Sequence, residues 1–582
     1  MRKRLIAIIL ICISAILVFP IAWKMMEIYR ASFPNSEIKK FKEILNSTSN
    51  SNLNQFIWNP KIRLIFLNLE KNNNWNPTTN EALKTEVMNI IDQKHLKNES
   101  KIKYELSFHY LDSKTDSKLD SKITEELLNN KDENIDDILN DITKNYIDSE
   151  NNNSSFPGVY TLYILNSKSF NSNSKTDFFA IGKYRHCWFY LTKDIPQIIS
   201  NTKIFIQMIE LIFATDKFMD IPNYIKKSTN YHLLFTLLVQ NTEKEQQIKW
   251  DFAQYKRLYF EPILDVLSNF ADFSIESQIK YYPKIASNLI YKKNEKSLIH
   301  PNHLSQLFKP GEWTLETFEK NETIISFLLY IPDKGDQPLS IDTKEKVDTS
   351  YIIPGFGGVV FYNSENELNE LNQKNEENQL NQENQLNQEN QLNQLNLLQY
   401  PLLHNQMNLF IQQIRILLGL VSLENFPLFH SSNQQAFLFY KDDLTFSQLE
   451  LDSFLYSRLE YNMVTAKESL VSFSNVVDEV KNMIVSDEMT SFVKNSLESI
   501  FQCENQIKFG NYFQAYNHSK NALRQSEKAL FYPSILSSLY FSNENQWAIY
   551  ASYFLPVVFM LFRIVRSQYK IYHQKKNSNQ SN

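Results

Sequence analysis

The chain has 582 residues, 43% hydrophobic and 13% aromatic, which is ample for one large or two ordinary domains with real cores and excludes wholesale disorder. Its 60 basic and 65 acidic residues leave a formal net charge of -5, which removes the electrostatic ground for nucleic acid as a partner. With 9 glycines and 3 cysteines it is neither a glycine-rich phosphate-cradling protein nor a small disulfide scaffold.

Arg2-Lys3-Arg4 open the chain, and no further charge occurs from Leu5 to Trp23. At 1.5 Å per residue such a run covers ~28 Å, about the hydrocarbon thickness of a bilayer. A cleaved signal peptide shares the basic start, but its apolar region is usually about 7–15 residues long and ends on small residues. Here the run leads into Phe19-Pro20-Ile21-Ala22-Trp23, with Trp23 suited to the interface. The expected layout is therefore a cytosolic stub at 1–4, a membrane helix at 5–23 and a large body at 24–546.

Within that body, Ile62–Asn68, Val159–Leu165 and Ile324–Ile331 are short apolar runs bounded by polar or turn residues, and they predict buried strands. Tyr184 to Leu191 also has the pattern of a strand. From Tyr255 to Asn269 the apolar residues Leu258, Tyr259, Ile263, Leu264 and Leu267 recur near helical spacing, and Pro262 predicts a kink or boundary. Strands separated by helices over these distances predict a mixed α/β layered domain, a sheet with helices.

Residues 363–400 repeat Asn, Gln, Glu and Leu with little variation. Such a tract offers too little apolar surface to offset ordering entropy, and it reads as a disordered insertion whose loop-closure cost grows only slowly with length. Residues 456–531 turn helical, with Leu470, Phe473, Val477, Val480 and Ile484 spaced by three and four. Ser486 before Asp487 and Glu488 has the form of an N-cap with an acidic first turn, and Gly510 separates two apolar-faced helices. This predicts a helical hairpin resembling a single tetratricopeptide-type unit, with no second copy to build a solenoid.

A second uncharged stretch, continued past Arg563 by Ile564 and Val565, predicts a membrane helix at 547–565. Arg566, Lys570, Lys575 and Lys576 follow it without an acidic residue. By the positive-inside rule the tail at 566–582 is cytosolic, and two crossings leave 24–546 in the lumen. N-glycosylation acceptors then fall at Asn46, Asn98, Asn152, Asn153, Asn321 and Asn517, while the triplet at Asn579 lies on the wrong side.

Chemistry is sparse. Cys12 lies inside the first apolar run, which leaves Cys187 and Cys503 either to form one disulfide or to remain buried thiols. His186-Cys187 suggests a cysteine nucleophile, but neighbours on a strand point to opposite faces. His300 and His303 flank Pro301, which spoils a helical metal pair. Pro354-Gly355-Phe356-Gly357-Gly358 precedes an apolar strand-like run instead of a helix, so it reads as a tight turn and not a phosphate loop. Neither His-Glu-x-x-His nor Gly-x-Ser-x-Gly occurs. No catalytic, cofactor-binding or metal-binding residue is assigned.

Several segments carry a family resemblance, in order along the chain. They are Pro20 to Lys24 with Glu27 to Pro34; Trp250-Asp251; Phe273 to Ile279 with Tyr281-Tyr282; and Phe327 to Pro332. Gly357-Gly358 with Tyr362-Asn363, Pro533-Ser534, Leu539-Tyr540-Phe541, Ala548-Ile549-Tyr550 and Phe554-Leu555-Pro556 complete the set. The chain resembles the PIG-S subunits of GPI transamidase, with the tract at 363–400 and the Asn-rich stretches near 71–76 and 129–153 as departures.

The resemblance implies a non-catalytic subunit of the endoplasmic-reticulum membrane complex that replaces a C-terminal protein signal with a glycosylphosphatidylinositol anchor. The catalytic cysteine would lie on another, caspase-like subunit. It leaves open whether this chain touches the precursor protein or the lipid. Two alternatives stand beside it: a luminal hydrolase using Cys187, or an unrelated membrane-tethered glycoprotein.

Overall fold

The computed structural model describes residues 31–32, 34–47, 58–68, 85, 89, 102–112, 135–143, 158–166, 178–190, 195–213, 225–240, 250–281, 290–293, 296–303, 323–333, 336–342, 347–363, 403–420, 436–439, 446–479, 485–533 and 543–578. The chain divides into two compact units. The first along the fold comprises Ile57–Arg458 with Gly510–Phe513, and is mixed α/β. The other comprises Met1–Phe56, Leu459–Phe509 and Gln514–Asn582, and its described elements are helical.

In chain order the elements are α1 (Asn35–Ser47), β1 (Lys61–Asn68), β2 (Glu105–Asp112), α2 (Ile135–Ile142), β3 (Val159–Asn166), β4 (Phe178–Ile181), β5 (His186–Tyr190) and α3 (Ile195–Phe213). Then come β6 (Asn230–Val239), α4 (Phe252–Tyr255), a π-helical turn (Lys256–Phe260), α5 (Glu261–Leu267), β7 (Asp272–Tyr281), β8 (Ile290–Lys293), β9 (Lys296–Ile299) and β10 (Thr323–Ile331). The remainder are β11 (Leu339–Asp342), β12 (Val347–Asp348), β13 (Ser350–Ile353), β14 (Gly357–Phe361), α6 (His404–Leu418), β15 (Ala436–Phe439), α7 (Gln448–Glu479), α8 (Asp487–Lys508), α9 (Tyr512–Leu530) and α10 (Asn543–Ser578).

The expected buried strands β1, β3 and β10 form where the apolar runs lie. A sheet covered on both faces tolerates such continuous apolar sequence because neither side meets water. The first sheet has the order β15-β4-β5-β3-β1-β2, and the run β5-β3-β1-β2 is parallel. Thr161↔His186, Leu162↔Cys187 and Tyr163↔Trp188 are partners, so alternate pairs face opposite sides. On one side Tyr163 donates to the Leu139 carbonyl of α2 (2.8 Å) and His186 meets Asp136. On the other, Tyr160 packs edge-on against Phe213 and Cys187 lies beside Met208, both on α3. The result is a helix–sheet–helix sandwich.

The second sheet, β13-β14-β10-β6-β7, is parallel except for the β13–β14 hairpin. Phe235 and Phe327 stack at 4.9 Å on one face and receive Phe260 and Phe410 from the helical side. The opposite face carries Leu238, Leu328, Tyr330, Val359 and Phe361, packed with Ile299, Leu339 and Ile341 of the small sheet β12-β11-β9-β8. Just after β14, the Asn363 side chain holds both backbone groups of Leu339, accepting its N–H and donating to its carbonyl at 2.9 Å each.

The glycine run is the expected tight turn, at 354–356, feeding β14. Gly357 has φ +147°, and a Cβ there would stand 2.0 Å from the Ser326 carbonyl oxygen. A Cβ on Gly358 would stand 1.9 Å from Gln413 Oε1, so this glycine lets α6 sit close against the sheet. The expected disturbance at Pro262 is the π-helical turn Lys256–Phe260. A proline in second helical position supplies no N–H to the carbonyl four residues back and crowds it, and the chain accommodates this with one wider turn.

In the helical unit, Ser486 caps α8 by accepting from the Met489 N–H at 3.2 Å. Gly510, at φ +76°, turns the chain into α9. The hairpin closes on small residues: Ser496 donates to the Ala522 carbonyl (2.9 Å) and Asn521 to the Ser499 hydroxyl (2.7 Å). Ser519, Ser526, Ala515 and Ala522 of α9 are also buried, and Ser519 accepts from Asn462 of α7 at 3.3 Å.

The expectation of flanking membrane helices is overturned. No described helix is long and apolar enough to cross a membrane. The expected span at 547–565 lies within α10, which is long, but Tyr550, Ser552, Tyr553 and an internal Pro556 dilute its apolar stretch before Arg563 and Arg566 end it. The expected span at 5–23 lies outside the described residues, as does the expected disordered insertion at 363–400 except for its first residue, Asn363, which is buried and hydrogen-bonded. The two-crossing topology, with its cytosolic tails, loses its support with α10.

Candidate functional site

The cysteine of the hydrolase reading sits on β5 and is fully buried, its sulfur 4.0 Å from Met208 Sδ on α3. Burial, and secondarily the Asp136 charge, push the Cys187 thiol well above its usual range. A nucleophilic cysteine requires the opposite shift. His186 points to the other face of the sheet, so the pair adjacent in sequence forms no dyad. Both Cys187 and Cys503 are free and buried, and burial pushes Cys503 up to about 12.

His186 instead bonds through Nε2 to Asp136 Oδ1 at 2.7 Å, while Oδ2 accepts the Lys183 N–H at 2.9 Å. Gly182 makes room for this contact, since a Cβ there would stand 2.2 Å from Asp136 Oδ1. At the helix surface next door, Lys183 and the Tyr184 hydroxyl reach Asp137 at 2.8 and 2.7 Å. Burial alone would raise the Asp137 carboxyl, but these two hydrogen bonds outweigh it and hold it below the usual range.

A larger buried polar cluster centres on Asp452, on the first turns of α7. Arg185 binds it in bidentate fashion, Nε to Oδ2 at 2.6 Å and Nη2 to Oδ1 at 2.8 Å, and Tyr160 donates to Oδ2 at 3.2 Å. Tyr160 also lies 3.1 Å from the Tyr456 hydroxyl. Burial would lower the Arg185 pKa, but the Asp452 charge and hydrogen bonds more than reverse it, so the guanidinium stays charged. Burial and the Asp452 charge raise both tyrosines well above their usual range. Beneath them Tyr456 stacks on Phe213 at 4.1 Å and meets Trp58 and Tyr512 edge-on or tilted at 5.1 and 5.2 Å. The Tyr512 hydroxyl accepts the Asn59 N–H at 2.9 Å.

The start of α7 is fixed by a capping box. Glu450 N–H donates to the Ser447 hydroxyl at 3.2 Å, and Ser447 N–H donates to the Glu450 carboxylate at 3.1 Å. Arg415 of α6 binds the same carboxylate at 2.9 Å. Arg458, a turn or two further on, donates to the Tyr231 hydroxyl of β6 at 2.7 Å and lies over the Phe454 ring. Residues 447–458 thus bind the first sheet through Arg185 and the second through Tyr231. The chemistry is that of fastening, with Arg185, Asp452, Glu450 and Arg458 each held by a fixed partner.

The sequence-assigned residues divide as follows. His300 and His303 lie on a short turn with ring centroids 6.0 Å apart, and no group of three metal-binding side chains occurs among the described residues. Asn517 is exposed on α9, but its acceptor triplet is helical and the Ser519 hydroxyl is buried, donating to the Tyr516 carbonyl at 2.7 Å. Asn46 belongs to α1. Asn98, Asn152, Asn153 and Asn321 lie outside the described residues. Sequence reasoning missed the Arg185–Asp452 pair, whose members are 267 positions apart and carry no motif. Ser447-x-x-Glu450 was readable as a capping box.

Comparison with known proteins gives the chain a family. The bovine (Bos taurus) GPI-anchor transamidase component PIGS is 26% identical over 361 residues, 61% of this chain and 59% of that protein. The human protein of the same name is 25% identical over the same shares. The GPI transamidase component PIG-S homolog of Schizosaccharomyces pombe is 24% identical over 335 residues, 57% of this chain and 52% of that protein. The chain thus matches between about half and six tenths of the length of these curated relatives. The sequence profile described as PIG-S: Phosphatidylinositol-glycan biosynthesis class S protein matches residues 9–575, nearly the whole chain, and the chain belongs to that family.

Proposed function

We propose that this chain is an accessory, non-catalytic subunit of a GPI transamidase in the endoplasmic reticulum, supporting a separate caspase-like subunit that carries the nucleophilic cysteine. The observation that carries this reading is the family match over residues 9–575, joined to relatives named as components of that transamidase. The inert setting of Cys187 supports the non-catalytic role, because a thiol driven toward its neutral form on a two-sided sheet cannot serve as the acyl acceptor. The network around 447–458 supports a scaffold, since it ties two sheets together through salt-bridged and aromatic contacts.

The body of the chain is assigned to the luminal side, with Asn46, Asn98, Asn152, Asn153 and Asn321 as candidate acceptors of N-linked glycan; the buried Ser519 hydroxyl takes Asn517 out of the set. The test is affinity purification of the tagged full chain in mild detergent, with identification of what accompanies it and treatment with a glycan-removing endoglycosidase. Recovery of a caspase-like cysteine subunit and a glycosidase-induced mobility shift are the expected results. Recovery without that subunit sinks the transamidase reading, and a glycan-free chain sinks the luminal one.

A further inference from the structure

The last helix, α10, shows more large apolar side chains to solvent than any other described element. Its two halves differ. Between 555 and 562 every residue is uncharged and nonpolar, whereas from Arg563 onward the composition divides by face. Arg563, Arg566 and Lys570 follow one another at steps of three and four, which sets them one above the other on a helix. Ile564 and Ile571, seven positions apart, and Val565 and Tyr569, four apart, occupy the remaining arc. Val565, Tyr569 and Ile571 are exposed at 59%, 64% and 42%.

Neither the helix terminus nor self-association accounts for this pattern. A helix dipole stabilises cations only within the last turn, and Arg563 lies about four turns before the end at Ser578. No acidic residue occurs from Gln546 to Asn582. Two copies of the helix packed through Val565 and Tyr569 would therefore bring like charges together with no carboxylate to pair them. A helix with one basic arc and one apolar arc, not apolar enough to cross a bilayer, is suited to lying in the plane of the membrane interface.

We propose that residues 563–573 of α10 lie along the surface of an anionic lipid bilayer. Ile564, Val565, Tyr569 and Ile571 enter the boundary between headgroups and acyl chains, while Arg563, Arg566 and Lys570 meet lipid phosphates. Charge complementarity selects this occupant. Each basic side chain near an anionic surface adds to the attraction, whereas a neutral surface would engage the apolar arc alone. Arginine matches a phosphate with paired donors, and Tyr569 places a ring toward the acyl chains and a hydroxyl toward water. The inference stands on the helix itself and goes beyond the transamidase reading.

The test attaches a nitroxide label, one site at a time, through Val565→Cys, Tyr569→Cys, Ser567→Cys and Gln574→Cys in the full chain carrying Cys12→Ser; Cys187 and Cys503 are buried. The chain is placed in nanodiscs of phosphatidylcholine alone or with about 30% phosphatidylserine, and collisions with a water-soluble quencher are measured. In the anionic discs the labels at 565 and 569 should be reached about tenfold less often than those at 567 and 574. Neutral discs, or the combined changes Arg563→Gln, Arg566→Gln and Lys570→Gln, should remove most of that contrast. These three side chains are exposed, so the unfolding midpoint should not move. Four labels reached alike in anionic discs overturn the surface-lying helix, whether all are wet or all are shielded. A contrast that is equal in neutral discs, or unmoved by the triple change, overturns the anionic selectivity. The same contrast in lipid-free detergent marks an acidic protein partner and overturns the lipid assignment. None of these results bears on recovery of transamidase subunits, so that reading stands or falls separately.

Discussion

The two compact units are held by different chemistry. The α/β unit relies on large groups brought together from distant positions: Arg185 with Asp452, Arg458 with Tyr231, and the rings of Trp58, Phe213, Tyr456 and Tyr512. The helical unit relies on small ones. Serine, alanine and asparagine fill the hairpin between α8 and α9, and Lys467 of α7 pairs with Glu504 of α8 at 2.9 Å. The contrast follows from topology. A parallel sheet joins remote segments in a fixed register, so single buried groups can serve as cross-links. Two helices joined by one glycine turn are neighbours already, and close approach of their backbones matters more than any one bond.

Mutations at matched positions would break this contrast if it is wrong. Asp452→Ala leaves the Arg185 guanidinium and the Tyr160 hydroxyl buried without their acceptor, and should cost about 3–5 kcal/mol in denaturant unfolding. If it costs no more than a lost helix cap, the α/β unit is not fastened by its long-range ion pairs. Alkali probes the same unit through its tyrosines. Tyr512 is pushed up to about 12 by burial, partly relieved by the Asn59 N–H. A folded-state pKa above the unfolded one gives stability that is complete below about 10 and is lost as pH rises toward 12, on the order of 2 kcal/mol for this residue. Tyr512→Phe should flatten the pH dependence of unfolding in that window, measured by the chemical midpoint at successive pH values. In the helical unit, Ser486→Ala should cost only about 1 kcal/mol, through the lost bond to Met489 N–H.

The same difference explains what the sequence disclosed. Apolar runs announced β1, β3 and β10, and Ser486 and Gly510 marked the helical hairpin, because each depends on residues near one another in the chain. Pro262 marked its wider turn for the same reason. Neighbouring strand positions were enough to separate His186 from Cys187. The partnership of Asp452 with Arg185 was invisible, since it depends on where α7 begins relative to the first sheet. β7 passed unread as a strand although Asp272 to Tyr281 alternates polar and apolar residues. The expected C-terminal membrane span fails because tyrosines, a serine and a proline interrupt the uncharged run between its flanking charges.

Asn363 has a consequence for how this family can vary. By taking both the donor and the acceptor of Leu339, its amide signs off the last strand of the hairpin before the Asn/Gln-rich tract begins. A change in the length of that tract starts beyond a completed bond pair, so it does not alter the register of β11 or β14. The residue works as a bookend, and the sheet behind it can stay fixed while the text in front of it is rewritten.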